Sequence, residues 1–221
     1  MPSQEMSDKS ILGLAASDIR YLVNRGYTKE SSIRFVADHY RLPLEDRFVL
    51  SRVVVPSKIA EARQKKLISL REIHEKDLVV DGYNVLITTE SLLGKVPVYI
   101  CDDGLCRDTR GIFRRYRASL LTIPSLREIL DLLVEMRPAS VSFLLDEQIS
   151  MSGELAAIIR GMISERELPG TSKTAKNVDR LMKTVGGIVA TGDGNIVDAA
   201  KRVVDLPKEI AKRRSIQLVA L

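Results

Sequence analysis

The chain of 221 residues has few cysteines, no long apolar run and no glycine-rich phosphate loop of the GxxxxGK type, and each shortage excludes a class of protein. No stretch approaches the roughly 18 consecutive apolar residues of a transmembrane helix, so we expect no membrane. Two cysteines, Cys101 and Cys106, are too few for a disulfide framework. Residues 1–10 have neither a basic start nor an apolar stretch, so we expect no signal peptide. These shortages predict a protein of the reducing cytoplasm.

The charges that are present suggest a polyanionic partner. The net charge is +5 and the sequence pI is about 9.2, which permits such a partner without requiring one. The stretch "RDTRGIFRRYR", residues 107–117, concentrates arginines beside two aromatic residues. Guanidinium groups bind phosphate in bidentate geometry, and aromatic faces stack on bases. This stretch predicts contact with nucleic acid, with a solvated loop and helix face as the alternative.

The sequence changes character near residue 75. Before that point apolar residues recur at helical spacing, and the charged stretch after Pro56 predicts one long helix. We therefore predict a small helical bundle over residues 1–74. Two of its helices, joined around "HYRLPLEDR", fit either a plain bundle or a helix-turn-helix motif whose arginines contact phosphates. Those arginines are Arg41, Arg47 and Arg52.

Residues 75–221 alternate apolar runs with helical patterns. This alternation predicts an α/β domain with a mostly parallel sheet and helices on both faces. The predicted strands are 77–81, 96–101, 140–146, 186–193 and 215–221. The predicted helices are 124–136, 153–166, 174–185, 194–204 and 207–214.

Three predicted strands end in an aspartate, namely Asp81, Asp146 and Asp193. The carboxyl ends of parallel strands share one edge of a sheet, so we expect these side chains to converge there. Carboxylates packed together repel one another, and a divalent cation with oxygen ligands removes the repulsion. The sequence thus predicts a site for Mg²⁺ or Mn²⁺. For each aspartate taken singly, and for Asp193 between two glycines above all, a helix cap or turn residue is the alternative.

Further acids lie close to these in the chain. Asp179 precedes a predicted strand and Asp198 follows Asp193 by about one helical turn, so both are candidates for the same cluster. Zinc is not expected, because the two histidines, His39 and His74, lie outside the α/β domain. Weaker acidic candidates follow the second predicted strand, at Asp102, Asp103 and Asp108.

The stretches "VVDGYNVL", "VDRLM" and "IVATGDGNIVDAA" resemble the motifs of the PIN-like nucleases, particularly the NYN branch. In this resemblance Asp81 and Asn84 match the first motif, Asp146 the second acid, and Asp179 the third. Thr191 with Asp193 matches the fourth. The sequence departs from the branch at Val178, where alanine is usual, and at Gly192, where serine or asparagine is usual. The whole chain also resembles a largely archaeal family that joins a helical N-terminal domain to such a domain.

The resemblance implies a PIN-like sheet and metal-dependent hydrolysis of RNA by an endoribonuclease. It implies that Asp81, Asp146, Asp179 and Asp193 are catalytic and hold Mg²⁺ or Mn²⁺, with Asp198 as a further metal ligand. Asn84 would orient Asp81 or a phosphate oxygen, or else cap a helix. The other expected contacts to substrate are Thr191, Arg107, Arg110, Arg114, Arg115, Lys173 and Lys176. Lys173 and Lys176 flank "LPGTS", which predicts a flexible entry loop.

Two alternatives to the enzyme stay open. One is an RNA-binding protein whose PIN-like domain is degenerate and inactive. The other is a small-molecule phosphatase of the haloacid-dehalogenase type, ranked last because Tyr83 stands where that family needs a second aspartate. RNA is the expected partner, a homodimer is left open, and Cys101 and Cys106 are expected as buried thiols rather than a redox-sensitive bridge.

Overall fold

The structure, a computed structural model, describes the backbone of residues 2–221 and the side chains of residues 11–221. The chain divides into two compact units. The first comprises the chain up to Lys65 together with Tyr99–Gly111 and Leu218–Leu221, and the second comprises Lys66–Val98 and Ile112–Gln217. The sequence predicted one boundary at residue 74 between two continuous domains, whereas each of these units is assembled from segments that are distant in the chain.

Four helices form the framework of the first unit. They are α1 Pro2–Asn24, α2 Lys29–His39, α3 Leu44–Val53 and α4 Ser57–Gln64. Their apolar faces enclose a core in which Ala15, Ile19 and Leu50 are fully buried. Thr28 is the N-cap of α2, because its hydroxyl oxygen accepts a hydrogen bond from the backbone N–H of Ser31 at 3.3 Å. The predicted helical start of the chain is confirmed.

A two-stranded sheet from the middle of the chain belongs to this helical unit. It consists of β2 Val98–Ile100 and β3 Cys106–Asp108, and it is separate from the main sheet in which residues 96–101 were predicted. The loop between the strands carries Asp102, whose carboxylate accepts hydrogen bonds from Arg20 at 2.8 Å and from the backbone N–H of Val55 at 3.0 Å. Arg20 also donates to the carbonyl oxygen of Leu221. The ion pair between Arg20 and Asp102 thus links α1, the β2–β3 loop, the segment that follows α3 and the last residue of the chain.

The second unit is built on a five-stranded sheet whose paired strands all run parallel. Its order is β5-β4-β1-β6-β7, with β1 Asp77–Asp81, β4 Ser140–Asp146, β5 Gly170–Ala175, β6 Ile188–Ala190 and β7 Arg202–Val204. The helices are α5 Gly82–Leu93, α6 Thr122–Met136, α7 Ser152–Glu165, α8 Val178–Lys183, α9 Gly194–Ala199 and α10 Leu206–Arg213, with 3-10 helices at Leu70–Ile73 and Phe113–Arg115. Helices flank the parallel sheet, which confirms the predicted fold class. As expected, no helix within the described residues has the length and apolarity needed to cross a membrane.

The order in which the chain visits the strands reverses at β1. From β1 the chain moves outward through β4 to β5, and it then returns past β1 and continues through β6 to β7. Parallel connections have a fixed right-handed sense, so the connections on the two sides of β1 run over opposite faces of the sheet. A crevice therefore opens beyond the carboxyl ends of β1 and β6, which is where open α/β sheets bind ligands.

The prediction of one long helix after Pro56 is wrong, because α4 ends at Gln64. Leu67 instead forms a bridge to β7, and Ser69 and Glu72 form a capping box that begins a new 3-10 helix. The charged stretch has helical propensity throughout, but pairing with a distant strand interrupts it. Local propensity is a weak guide where tertiary pairing competes with it.

Other differences concern short or polar strands. β5 lies at the sheet edge, where the flexible loop 168–172 and the first residues of the helix 174–185 were predicted, because its polar sequence "GTSKTA" shows no apolar run. β7 has three residues and was predicted as the end of a helix over residues 194–204. Residues 215–221, predicted as a strand, form only one bridge, between Val219 and Tyr99.

Gly82 joins β1 to α5 without an intervening loop, and replacing it with alanine tests this close connection. A Cβ atom there would lie 2.5 Å from Leu145 Cδ2 and 2.9 Å from the carbonyl oxygen of Leu144. Gly82→Ala should therefore lower the free energy of unfolding by about 1–3 kcal/mol through overpacking, as measured by urea denaturation.

Gly161→Ala is the matched control, because a Cβ atom at this position in α7 meets nothing within 4 Å. Alanine is favoured over glycine inside a helix, so this variant should be more stable than the wild type by roughly 0.5–1 kcal/mol. A Gly82→Ala protein with wild-type stability would contradict the tight approach of β1 and β4.

Candidate functional site

Asp81 and Asp146 lie on one face of the sheet at its carboxyl edge. The parallel register pairs Asp81 with Leu144. Asp146 follows Leu144 by two residues, and side chains alternate along a strand, so the two aspartates are on the same side. Thr191 extends the β1–β6 pairing by one residue and also faces this side. The register thus brings residues of three strand ends to one crevice.

Thr191 links two of the acids directly. Its hydroxyl donates a hydrogen bond to Asp81 Oδ2 at 2.8 Å, and its oxygen accepts one from the backbone N–H of Asp193 at 3.0 Å. A second link runs from the backbone N–H of Gly192 to Asn84 Oδ1 at 2.7 Å. Asn84 therefore neither caps α5 nor bonds to the Asp81 carboxylate through its side chain. It fastens the start of α5 to the loop that carries Asp193.

The carboxylate of Asp81 is buried and forms no ion pair with any residue from 11 to 221. Asp81 is the N-cap residue of α5, yet its side chain makes no capping hydrogen bond and is 6% exposed. Burial is the main cause that raises the pKa of Asp81 to about 7. The hydrogen bond from the Thr191 hydroxyl opposes this rise, and the negative charges of Asp193 and Asp179 add to it. The site therefore concentrates negative charge around a carboxyl group that is half-protonated near neutral pH.

Asp179 belongs to the same cluster. It lies in the first turn of α8, which packs against β1, β4 and α9. Burial raises its pKa, the charges of Asp193 and Asp146 add to the effect, and Lys183 one turn later opposes it. Asp179 is thus close enough to Asp193 and Asp146 to repel both electrostatically. The fold brings together all four aspartates that were predicted to be catalytic.

The oxygen atoms of this cluster suit a hard divalent cation. Asp146 Oδ1 accepts a hydrogen bond from the backbone N–H of Gln148, and Asp193 Oδ1 accepts from Asn195 and Ile196 at the start of α9. Oδ2 of both aspartates receives no hydrogen bond from the residues that the structure describes, and carboxylate oxygens are the ligands that Mg²⁺ prefers. However, no three Asp, Glu, His or Cys side chains in the described part of the chain are arranged to hold a metal ion. The cation itself stays a prediction.

Asp198 is not placed with these four. Asp193 begins α9 whereas Asp198 lies in its last turn, about 7.5 Å farther along the axis at 1.5 Å per residue. At this end of α9, Lys66 Nζ donates to the carbonyl oxygens of Val197 and Asp198 at 3.0 and 2.6 Å. The spacing of Asp193 and Asp198, about one helical turn, suggested a common site, but side chains five positions apart on a helix point to different sides.

The predicted basic residues of the second unit are exposed. Lys173 lies within β5, which corrects the predicted flexible loop, and the register pairs it with Leu144. Leu144 is also the partner of Asp81, so Lys173 is on the acidic face of the sheet, about 9.6 Å from Asp81 across two strand spacings. Lys176 forms an exposed ion pair with Glu147 at 3.7 Å. The exposed residues Arg114 and Arg115 lie on the second 3-10 helix.

Arg107 has a structural role in the first unit in place of the predicted phosphate contact. It is 4% exposed, and its guanidinium donates to both oxygens of Asp103 at 2.8 and 2.6 Å. Burial alone would raise the pKa of Asp103, but hydrogen bonds and charge from Arg107 and Arg63 outweigh it and lower the pKa. Arg110 pairs with Asp108 at 2.9 Å. Together with Asp102, which pairs with Arg20, all three of the weaker acidic candidates therefore serve ion pairs.

Other site neighbours were missed in the sequence. Tyr83 is 1% exposed, and burial followed by the charges of Asp146 and Glu154 raises its pKa to about 12. It therefore keeps its proton beside Asp146. In the sequence, Tyr83 stands out only as a mismatch to the motif of the haloacid-dehalogenase phosphatases. Lys183 was detectable in principle, because it follows Asp179 by four residues on one predicted helix. Cys101 and Cys106 are both buried and form no disulfide with each other, as expected.

Comparison with known proteins gives relatives of undefined activity. Residues 70–209 match the family described as "Domain of unknown function (DUF5616)", and residues 11–66 match "Protein of unknown function (DUF434)". The uncharacterized protein MJ0935 of Methanocaldococcus jannaschii is 34% identical over 197 residues, which cover 88% of this chain and 94% of that protein. No solved structure matches the chain significantly. The alignment with MJ0935 covers 88% of this chain and therefore includes residues of both matched regions.

Burial of Asp81 makes stability depend on pH in a defined direction. Its pKa is about 7 when folded, against an ordinary value of 3.8, so between these values the unfolded chain loses its proton first and stability falls as pH rises. Asp81→Asn removes this loss. When the pH is raised from 5 to 8 in EDTA, the wild type should lose about 3 kcal/mol more in free energy of unfolding than the variant, measured by urea denaturation.

Asp131→Asn on α6, which removes the acidic partner of an exposed ion pair with Arg166, measures the effect of losing one negative charge at the surface. The difference between the two variants isolates the buried carboxylate. If Asp81→Asn and the wild type lost stability equally between pH 5 and 8, the burial of this charge would be contradicted.

Proposed function

The chain belongs to the DUF5616 family, and we propose that it is a divalent-metal-dependent endoribonuclease whose cation is held by Asp81, Asp146, Asp179 and Asp193. The observation that supports this most is the gathering of these four carboxylates at the crevice where the strand order reverses. Their mutual repulsion in a partly buried site is what a cation relieves. The resemblance of the same residues to PIN-like nucleases of the NYN branch supports the choice of chemistry.

A bound Mg²⁺ or Mn²⁺ supplies Lewis-acid chemistry that neutralises charge on a phosphate and its leaving oxygen. The residues of the chain orient the ligands. Thr191 fixes one oxygen of Asp81 and the backbone of Asp193, so that the acids on β1 and after β6 keep a constant relation. Asn84 holds the same loop through Gly192. Tyr83, buried beside Asp146, excludes water from the inner side of the crevice.

Exposed cations on the second unit provide contacts to a phosphodiester chain. Lys173 lies on the acidic face of the sheet two strands from Asp81. Arg114 and Arg115 are exposed and form no ion pair with any residue from 11 to 221. These side chains suit RNA phosphates, whose neutralisation makes binding strongly dependent on salt.

The proposed cellular location is the cytoplasm.

Asp81→Asn tests the proposed reaction. The wild type should cleave single-stranded RNA in Mn²⁺ or Mg²⁺ and not in EDTA, and Asp81→Asn should lose at least about 100-fold in rate because a ligand is removed. Gel analysis of an end-labelled oligonucleotide measures the rate. Asp131→Asn is the control for lost charge, and Asp198→Asn should also keep the rate because Asp198 lies at the other end of α9.

Binding of the cation has a readout that does not require turnover. Mn²⁺ at about 100 times its dissociation constant should stabilise the wild type by about 2.7 kcal/mol, and Asp81→Asn should lose most of this gain. Thermal unfolding with and without Mn²⁺ measures the difference. RNA binding without cleavage or Mn²⁺ stabilisation would favour the alternative, an RNA-binding protein with an inactive PIN-like domain.

A further inference from the structure

Three aromatic side chains of the first unit project into solvent. Tyr21 on α1 is 58% exposed, Tyr27 in the α1–α2 loop is 62% exposed, and Phe35 on α2 is 69% exposed. The chain has only ten phenylalanines and tyrosines and no tryptophan, so three rings exposed on neighbouring elements are a large share. Exposed apolar groups that gather in this way mark interaction sites on soluble proteins.

Phe35 separates two grooves between these rings. One groove, of about 270 Å³, has Tyr21 and Phe35 on its walls. The other, of about 520 Å³, lies between Phe35 and Tyr27. Leu22 lines both grooves, so the two are contiguous on the surface of α1 and α2. The spaces are open to solvent between aromatic faces, which suits flat ligands that stack.

The opposite side of α2 is cationic. A third groove, of about 510 Å³, is lined by Lys29, Arg34 and Arg47 among others. Arg34 also lines the groove of Tyr27 and Phe35. Arg34 therefore borders both the aromatic grooves on one side of α2 and the cationic groove on the other side. Guanidinium groups bind phosphate and also stack on flat rings, so Arg34 suits both sides.

Two cations that line these grooves are available to a ligand. The side chains of Lys29 and Arg34 form no hydrogen bond or ion pair with any residue from 11 to 221. Arg25 lies outside the three grooves, and its guanidinium is over the Tyr21 ring with 4.3 Å to the centroid. Burial, then the charge of Arg107, lowers the pKa of Lys29 to about 8. A phosphate beside Lys29 would offset the repulsion from Arg107.

The acidic residues at the grooves are mostly engaged already. Asp38 pairs with Arg47 at 2.8 Å, and Asp18 accepts a hydrogen bond from the hydroxyl of Tyr40 at 2.8 Å. Glu30 is the remaining acid on the cationic side. With Lys29 and Arg34 unpaired, the cationic groove keeps an excess of positive charge, which favours an anionic occupant.

We propose that these residues, here called the α2 surface, bind single-stranded RNA. Bases would stack on Tyr21, Phe35 and Tyr27, and phosphates would lie against Lys29 and Arg34. A duplex keeps its base faces stacked internally, so exposed rings beside cations select a single strand. The choice of RNA as the polymer rests on the proposed function. The α2 surface itself uses none of the residues of the proposed catalytic site.

Binding of a fluorescent 20-nucleotide oligouridylate to the full chain in EDTA tests this inference, because binding is then measured without cleavage. Fluorescence anisotropy gives the dissociation constant. Stacking on an aromatic side chain contributes enough that Tyr27→Ala and Phe35→Ala should each weaken binding about 5-fold or more. Lys29→Ala with Arg34→Ala should lower the slope of log K against log salt by about 1.4, at roughly 0.7 per phosphate contact on a single strand.

Leu44→Ala is the matched control. Leu44 belongs to the same unit, is 82% exposed and lines none of the three grooves, so its replacement should leave the affinity unchanged. A 20-base-pair RNA duplex should bind more weakly than the single strand. Urea denaturation of each variant establishes that the exposed substitutions leave the fold intact.

Several outcomes would overturn the inference. Wild-type affinity in the aromatic variants, or no binding of the single strand by the wild type, would do so. So would a change in sedimentation of Phe35→Ala with RNA affinity unchanged, which would make the α2 surface an interface between copies of the chain.

Asp81→Asn separates failure of the inference from failure of the proposed function. It should bind the oligonucleotide in EDTA as tightly as the wild type while losing Mn²⁺-dependent cleavage. If the wild type cleaves RNA but the α2 variants bind it normally, the nuclease proposal is supported and the α2 surface is contradicted. If binding depends on the α2 surface but no cleavage occurs, the RNA-binding surface is supported and the nuclease proposal is contradicted.

Discussion

One hydrogen bond, from the hydroxyl of Thr191 to the buried carboxylate of Asp81, joins the two strand ends at which the order of the strands along the chain reverses. Asp81 ends β1 and Thr191 follows β6, and these are the strands between which the crevice opens. A buried carboxylate without such a donor would be strongly unfavourable. The hydroxyl lowers the penalty of burial without supplying a positive charge, so the site remains negative and attractive to a cation.

The two units treat buried acids in opposite ways. In the first unit Asp103 is fully buried, but Arg107 and Arg63 lie within hydrogen-bonding distance and lower its pKa. In the second unit Asp81 forms no ion pair with a described residue, and its burial, with a further contribution from neighbouring acids, raises its pKa. Paired buried charges are a common structural device, whereas a buried carboxylate surrounded by other carboxylates is typical of a functional site. This contrast supports the proposal of a functional site in the second unit.

The tight β1–α5 connection explains why Asp81 faces the crevice. Because Gly82 follows at once with its α-carbon against Leu144 and Leu145, the strand turns into the helix without a loop. An aspartate at an N-cap ordinarily bonds to its own helix, but Asp81 bonds to Thr191 on the neighbouring strand. Asp193 is different, since one of its oxygens caps α9 while the other stays free of hydrogen bonds from the described residues. Capping of α9 therefore uses only one of the two carboxylate oxygens of Asp193.

Local pattern was sufficient for the features that depend on neighbouring residues. Apolar runs ended by aspartate located β1 and β4, and the parallel topology that follows from alternating elements placed Asp81 and Asp146 at one edge. Asp179 was matched through a family resemblance, since nothing in its helix alone distinguishes it from a capping acid. Polar β5 and the three-residue β7 were missed because a strand is recognised by its apolar pattern, and short edge strands carry little of it.

The sequence by itself determined the α/β class, the parallel sheet and the acids at its strand ends, because side-chain periodicity and strand direction are encoded locally. Only the tertiary structure decided which charges are neutralised. Arg107 reads as an exposed phosphate contact within its arginine-rich stretch, but folding buries it against Asp103. Lys173 reads as part of a loop, but pairing with β4 sets it on the acidic face. Burial and partners arise from contacts between distant segments, and these fix how strongly each charge acts.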